Sequence, residues 1–208
     1  MLIVALTGGI ATGKSVVARL LKDRGCVIHD ADATAHAVMA AGGEVWRGVV
    51  AHFGPGILAP DQSIDRKRLG AIIFADEAER RFLDALVHPR VMDEVRRAAA
   101  EAARDGRTRI FVSEAALTIE SGFAPFFDRV VVVWCRPEVQ LQRLMDRDRI
   151  SAEEARRKVA SQMDLEEKKK FGNYLIDTSG TMADTERQVG AVYESLLRDE
   201  ERKTAKEK

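Results

Sequence analysis

Residues 7–15, TGGIATGKS, constrain this chain more than any other stretch. Gly8, then Gly13, Lys14 and Ser15, have the G-x-x-x-x-G-K-[ST] spacing of a phosphate-binding loop. The glycines let the backbone curl so that successive N–H groups face phosphate oxygens. Lys14 supplies a point charge for β- and γ-phosphates, and the Ser15 hydroxyl suits Mg²⁺. Such a loop needs a strand before it and a helix after it, and both patterns are present. Leu2-Ile3-Val4-Ala5-Leu6 is an apolar run suited to a buried parallel strand. Val16, Val17, Leu20 and Leu21 mark one face of a helix that Gly25 would stop. The nucleotide contacts expected from this segment are Gly8, Gly9, Ile10, Ala11, Thr12, Gly13, Lys14, Ser15 and Val16.

The rest of the chain alternates short apolar runs with longer helical patterns, which predicts a parallel α/β sheet. Strands are expected near 2–6, 26–29, 109–114, 129–135 and 174–177. Between the second and third lie several helical patterns. Val45, Val49, Val50 and Phe53 form one stripe, and Leu69, Ile72 and Ile73 another. Asp76 with Glu79 has the form of a capping box ahead of Phe82, Leu83 and Leu86. Pro89 is expected to open a further helix running to Gly106. A single domain follows, with a core of about 1–32, 107–136 and 171–198. The core is interrupted by a helical insertion of about 33–106 and a charged helical lid of about 137–170. Ser151 and Glu154 form a second capping box within the lid. Residues 199–208 are nearly all charged and are expected to fray.

Composition narrows the partners. Lys plus Arg and Asp plus Glu both number 33, so no global field draws in nucleic acid. No apolar run reaches bilayer length, and the N-terminus reads as a core strand rather than a signal peptide. Cys26 and Cys135 fall in expected buried strands, with no metal or disulfide spacing. A cytoplasmic protein, most simply a monomer, is expected, with neither membrane nor nucleic acid as partner.

Beyond the loop, further positions carry chemistry. Asp30 and Asp32, in HDAD, follow the second strand, where ligands of open α/β sheets bind. Asp32 is the candidate base for an acceptor hydroxyl; the alternative for either aspartate is a helix N-cap. Glu114 ends the third strand, where an acid would help Ser15 organise Mg²⁺, with Glu120 a second candidate. Arg143 and Arg147 are four apart, on one helix face, and suit the charge on a transferring phosphoryl group. Asp146 and Asp148 beside them allow a plain solvated face instead. His88 is assigned no chemistry, and Trp46 and Trp134 are expected in the core. The single asparagine, Asn173, precedes Tyr174, so the N-K-x-D reader of guanine is missing. A small P-loop kinase fits best, with Lys14, Asp32, Arg143 and Arg147 as catalytic residues.

The motifs come in an order that resembles one family. LTGGIATGKS, HDAD, FGPGIL (53–58), IDRKRL (64–69), HP (88–89), IESGF (119–123), FDRVVVVWC (127–135), QLQRLMDRD (140–148), SQMDLEEKK (161–169) and YLIDTSG (174–180) are similar to dephospho-coenzyme A kinases. The resemblance implies a P-loop NTPase three-layer fold: a five-stranded parallel sheet, a helical substrate-binding insertion and a helical lid. It implies transfer of the ATP γ-phosphate, with Mg²⁺, to the ribose 3′-hydroxyl of dephospho-coenzyme A, the last step of coenzyme A biosynthesis. Asp32 matches the family's proposed base, Arg143 and Arg147 its lid arginines, and Arg66 an arginine of its substrate domain. Departures are Ala11 for a usual glycine, Thr12 for a common serine, His36 and Lys158 for arginines, Ala115–Thr118 for an apolar Pro-Leu-Leu segment, and Gly172-Asn173 for Ala-Asp. Another small nucleotide or metabolite kinase, or a nucleotide-binding regulator without turnover, is the alternative.

Overall fold

The computed structural model describes residues 1–104 and 106–206, with Phe74 described in its backbone alone. The chain divides into two compact units, Met1–Asp30 with Ala99–Lys208, and Ala31–Ala98.

The first unit is built on five strands: β1 (Leu2–Gly8), β2 (Val27–Asp30), β3 (Ile110–Glu114), β4 (Arg129–Trp134) and β5 (Tyr174–Asp177). All pairings are parallel, in the order β2-β3-β1-β4-β5. The expected strands are borne out, with ends moved by one or two residues. Both faces are buried, which explains why the strands read as continuous apolar runs. On one face Leu2, Val4, Leu6, Val112, Val131 and Val133 pack against Val17, Leu20 and Leu21 of α1 (Lys14–Lys22). Val189, Val192 and Leu196 of α9 (Met182–Lys206) complete that layer. On the other face Ala5, Val130 and Val132 pack with Ile119, Phe127 and Met163. The charged segment after β4 forms α6 (Pro137–Asp148), α7 (Ala152–Ala160) and α8 (Leu165–Lys169). Ser151 and Glu154 make the reciprocal capping box that opens α7.

The second unit holds α2 (Ala31–Val38), α3 (Glu44–Phe53), α4 (Arg66–Ala75) and most of α5 (Glu77–Ala103). Here the structure corrects one expectation. Pro89 opens no new helix; it lies inside the 27-residue α5. Leu83, Val87, Val91, Met92 and Val95 form one buried stripe that runs past it. The carbonyl that Pro89 cannot bond belongs to Ala85, and both residues are exposed, so water can serve it. Asp76 does cap α5, accepting from the Ala78 and Glu79 amides at 2.7 and 3.4 Å. The Glu79 carboxylate is bonded to His52 Nε2 at 2.5 Å.

The charged tail is a second correction. As far as Lys206 it is helical, as the end of α9; Glu207 and Lys208 lie outside the described residues. Asp199 is 5 % exposed and accepts from Arg129 Nε at 2.7 Å and the Tyr174 hydroxyl at 2.5 Å. The Arg129 guanidinium, chiefly by that hydrogen bond, holds the Asp199 carboxyl below its usual range. Glu200 accepts from Arg109 at 2.8 Å, and Lys203 reaches Asp128 at 2.7 Å. Cys26 and Cys135 are buried and unbridged, just outside the strands. Burial pushes the Cys26 thiol up to about 12 and raises that of Cys135. Trp46 and Trp134 are only half-buried: Trp46 donates to the Gln62 carbonyl, and Lys169 Nζ lies 4.1 Å from the Trp134 ring centre.

Candidate active site

The sheet order reverses direction at β1, which lies between β3 and β4, so a crevice opens at the carboxyl ends of β1 and β3. The segment between β1 and α1 curls over that crevice. Its two left-handed residues are Ala11, at φ 59°, and Gly13, at φ 86°. Gly13 therefore answers a conformational demand, and α1 starts without a side-chain cap. An uncapped, dipole-positive helix start is suited to an anion. Gly8 is glycine for another reason. A Cβ there would lie 2.3 Å from the Val133 carbonyl oxygen, so β4 leaves no room.

Ala11 is the usual glycine replaced, and its positive φ costs about 1–2 kcal/mol for an L-residue. Glycine relieves this but adds unfolded-state freedom. Ala11→Gly is expected to raise stability by up to about 1 kcal/mol without weakening ATP binding. Thermal melting with an ATP titration checks this.

A cleft of about 520 Å³ is lined by residues 9–16, with Ala116, Arg143, Arg147, Gln162, Thr178 and Met182 among its walls. Eight of the nine expected loop contacts thus face it; Gly8 lies beneath. The β1–β3 register sets Leu6 beside Glu114. Lys14 Nζ donates to Glu114 Oε1 at 2.8 Å, and Ser15 Oγ donates to the same oxygen at 3.3 Å. Hydroxyl and carboxylate are hard oxygen donors. Mg²⁺ takes one or two such protein groups, the rest of its shell being phosphate oxygens and water, so Ser15 and Glu114 fit it. No cluster of three His, Cys, Asp or Glu among the described residues could hold a metal on its own. Glu120 has a different place. It accepts from Lys168 Nζ at 2.8 Å and from the Met163 amide at 3.2 Å.

Both arginines of α6 line the cleft. Arg143 is tied by Nη1 to Thr178 Oγ1 at 3.0 Å and by Nη2 to the Thr178 carbonyl at 2.7 Å. Thr178 Oγ1 in turn donates to the Thr12 carbonyl at 2.6 Å, which links the segment after β5 to the loop. Arg147 is exposed and bonded to Asp148 at 2.8 Å. Asp148 also receives Lys158 at 2.7 Å, so Lys158 bridges α7 to α6. These two hydrogen bonds hold the Asp148 carboxyl down to about 2. Asp146 accepts from Gln142 instead.

The aspartates of HDAD fall on either side of the division between units. Asp30 closes β2, opposite Glu114 in register, and Asp32 is in the first turn of α2. Within the helical unit Arg66, the first residue of α4, lines a cavity of about 370 Å³ with His36, Met39, Ile64 and Leu69. His88 stands 3.3 Å from Asp84 on α5, and desolvation lowers its pKa. Thr178, Gln140, Gln162 and Lys168 lie within the motifs that carry the resemblance, but no role is assigned to them from the sequence. In the structure Thr178, Gln140 and Gln162 bond to the loop and Lys168 to the Ala116 carbonyl.

Fold and cleft together define a P-loop small-molecule kinase. The family model described as dephospho-CoA kinase matches residues 2–184. The chain belongs to the dephospho-CoA kinase family. It is 44 % identical to the dephospho-CoA kinase of Geobacter sulfurreducens over 93 % of this chain and 98 % of that one. A dephospho-CoA kinase domain-containing protein of Danio rerio is 38 % identical, over 94 % of this chain and 86 % of its own. The solved dephospho-CoA kinase of Campylobacter jejuni superposes with TM-score 0.67 at 26 % identity, covering 94 % of this chain and 97 % of that one. Shikimate kinase from Acinetobacter baumannii, at TM-score 0.54 and 16 % identity, covers 96 % of this chain and 94 % of its own and shares the fold.

Proposed function

We propose that this chain transfers the γ-phosphoryl group of ATP to the ribose 3′-hydroxyl of dephospho-coenzyme A, giving ADP and coenzyme A. The observation that carries the reading is the Lys14–Glu114–Ser15 cluster under an uncapped helix start, in a chain of this family. Lys14 leaves Glu114 for the β- and γ-phosphates as the triphosphate enters. Ser15 and Glu114 would hold Mg²⁺, which when bound neutralises phosphate charge. Arg143 and Arg147, already on the cleft wall, complement the charge that spreads over the equatorial oxygens. Asp32 orients the acceptor hydroxyl and takes its proton. Arg66, beside a mixed apolar cavity, supplies a cation for the acceptor's phosphates.

The same reading places the chain in the cytoplasm as a monomer. The unbridged buried thiols Cys26 and Cys135 suit a reducing compartment.

The test is ADP release from ATP and Mg²⁺ with dephospho-coenzyme A, AMP or shikimate as acceptor. Stimulation by dephospho-coenzyme A alone is expected; stimulation by another acceptor, or by none, rejects the reading. Asp32→Asn is expected to lower kcat by at least about 10²-fold while ATP affinity changes less than about twofold. Full turnover in that variant would remove Asp32 from the role.

A further inference from the structure

Ile10 of the loop is gripped by two uncharged side chains. The Ile10 amide donates to Gln162 Oε1 at 2.7 Å, and the Ile10 carbonyl accepts from Gln140 Nε2 at 2.8 Å. Since an N–H can only donate and a carbonyl only accept, these partners fix which end of each glutamine faces the loop. Gln140 is 3 % exposed. A Cβ on Gly9 would lie 2.8 Å from Gln140 Nε2 and 3.1 Å from Leu165 Cδ2, so the glycine lets the amide in. Gln140 lies in α6, which leads up from β4, and Gln162 lies between α7 and α8, where the chain comes down. One amide therefore stands on each leg of the α6–α7 pair, and α6 carries Arg143 and Arg147.

We propose that Gln140 and Gln162 are positioning residues: a two-point clamp on the Ile10 peptide groups. It holds the phosphate loop in its anion-accepting shape and in register with the arginines of α6. With the Ile10 N–H committed to Gln162, anion binding falls to the amides further along the loop and at the start of α1. A loop free to turn its Ile10 peptide would have to order it as phosphate binds; the clamp removes that requirement. The idea rests on the phosphotransfer reading only for its effect on turnover. Its test reads the loop itself and ATP binding, so an unexpected acceptor leaves it unaffected.

The experiment uses the full chain, ¹⁵N-labelled, and four variants: Gln162→Met, Gln162→Glu, Gln140→Met and Gln140→Glu. Ile10 amide exchange is followed without nucleotide, and ATP binding by calorimetry with Mg²⁺. Gln162→Met loses the acceptor at nearly constant volume, so Ile10 exchange is expected to quicken by about 10-fold or more and ATP affinity to fall about 10-fold. Gln162→Glu keeps the acceptor and should leave Ile10 exchange within about threefold of the parent; its added charge makes ATP affinity uninformative there. Gln140→Glu sets oxygen against oxygen and, read by the same exchange measurement, should quicken Ile10 exchange at least as much as Gln140→Met. Glutamate is thus tolerated at one position and harmful at the other, a polarity that simple packing would not produce. Unchanged exchange and ATP affinity in Gln162→Met would overturn the clamp. So would equally faster exchange at the Val4 and Val132 amides, which marks general loosening.

Discussion

Lys14→Met is expected to lower kcat/KM by about 10²–10³-fold, the scale for losing a fixed charge at the transferring group. The structure implies a second effect that the motif does not. The Lys14 ammonium is 2.8 Å from Glu114, and both side chains are mostly buried, at 14 and 12 % exposure. Removing the ammonium takes away an attraction for the triphosphate and also uncovers a carboxylate beside it. Like charges at such range in a partly dry cleft oppose each other by more than in water. The double variant Lys14→Met/Glu114→Gln is therefore expected to bind ATP, titrated without Mg²⁺ so that loss of a metal contact plays no part, more tightly than Lys14→Met alone while remaining inactive. Calorimetry on the two single variants and the double completes the cycle. Equal affinities in Lys14→Met and the double variant would show that Glu114 does not govern the charge seen by the nucleotide.

Lys168→Met is expected to destabilise the fold by about 3 kcal/mol. Lys168 is 0 % exposed, with Nζ 2.8 Å from Glu120 and 2.9 Å from the Ala116 carbonyl. Removing one partner of a buried pair costs about 3–5 kcal/mol; the lower end applies because Glu120 keeps 22 % of its surface in water. For a chain of this size that corresponds to a melting temperature lower by about 6–12 °C. Adding Glu120→Gln should recover part of the loss, because the abandoned charge is removed. The site should feel the change too. The Ala116 carbonyl also accepts from Thr7 Oγ1 at 3.1 Å, and Ala116 lines the cleft. Urea unfolding of the single and double variants decides: a loss under about 1 kcal/mol in Lys168→Met would mean that the ammonium contributes no more than an apolar chain would.

The sheet was legible because its physics is local. A strand buried on both faces must be apolar throughout, so Val130–Val133 and Leu2–Leu6 announce themselves. The loop was legible because glycine, lysine and serine at fixed spacing have few other uses. What escaped reading depends on partners distant in sequence. Asp199 looked like one more charge in a solvated tail; Arg129 and Tyr174, which bury it, carry no mark of that pairing. Lys168 sat in a run of charges, and nothing in the run says which ammonium turns inward. Gln140, Gln162 and Thr178 are uncharged, and their role is a hydrogen bond to backbone, which any sequence could supply. Pro89 misled because its rule concerns the carbonyl four residues back, and whether that carbonyl faces water is a tertiary fact. Ala11 departs from the usual glycine, and the positive φ behind that usage is a property of the backbone alone.

The central place of β1 has a consequence for how the chain acquires its activity. Its neighbours β3 and β4 pair with it from more than 100 residues downstream, at Leu2↔Ile110 and Val4↔Arg129. During synthesis at about 5–20 residues per second, β1 waits for roughly 5–25 seconds before its partners are made. The phosphate loop hangs from that strand, so it is made early and shaped late. Closing such long loops is slow, and an apolar strand with free edges is open to wrong pairing meanwhile. A nascent chain halted before β4 would carry the complete loop sequence without the structure that lets it hold a phosphate.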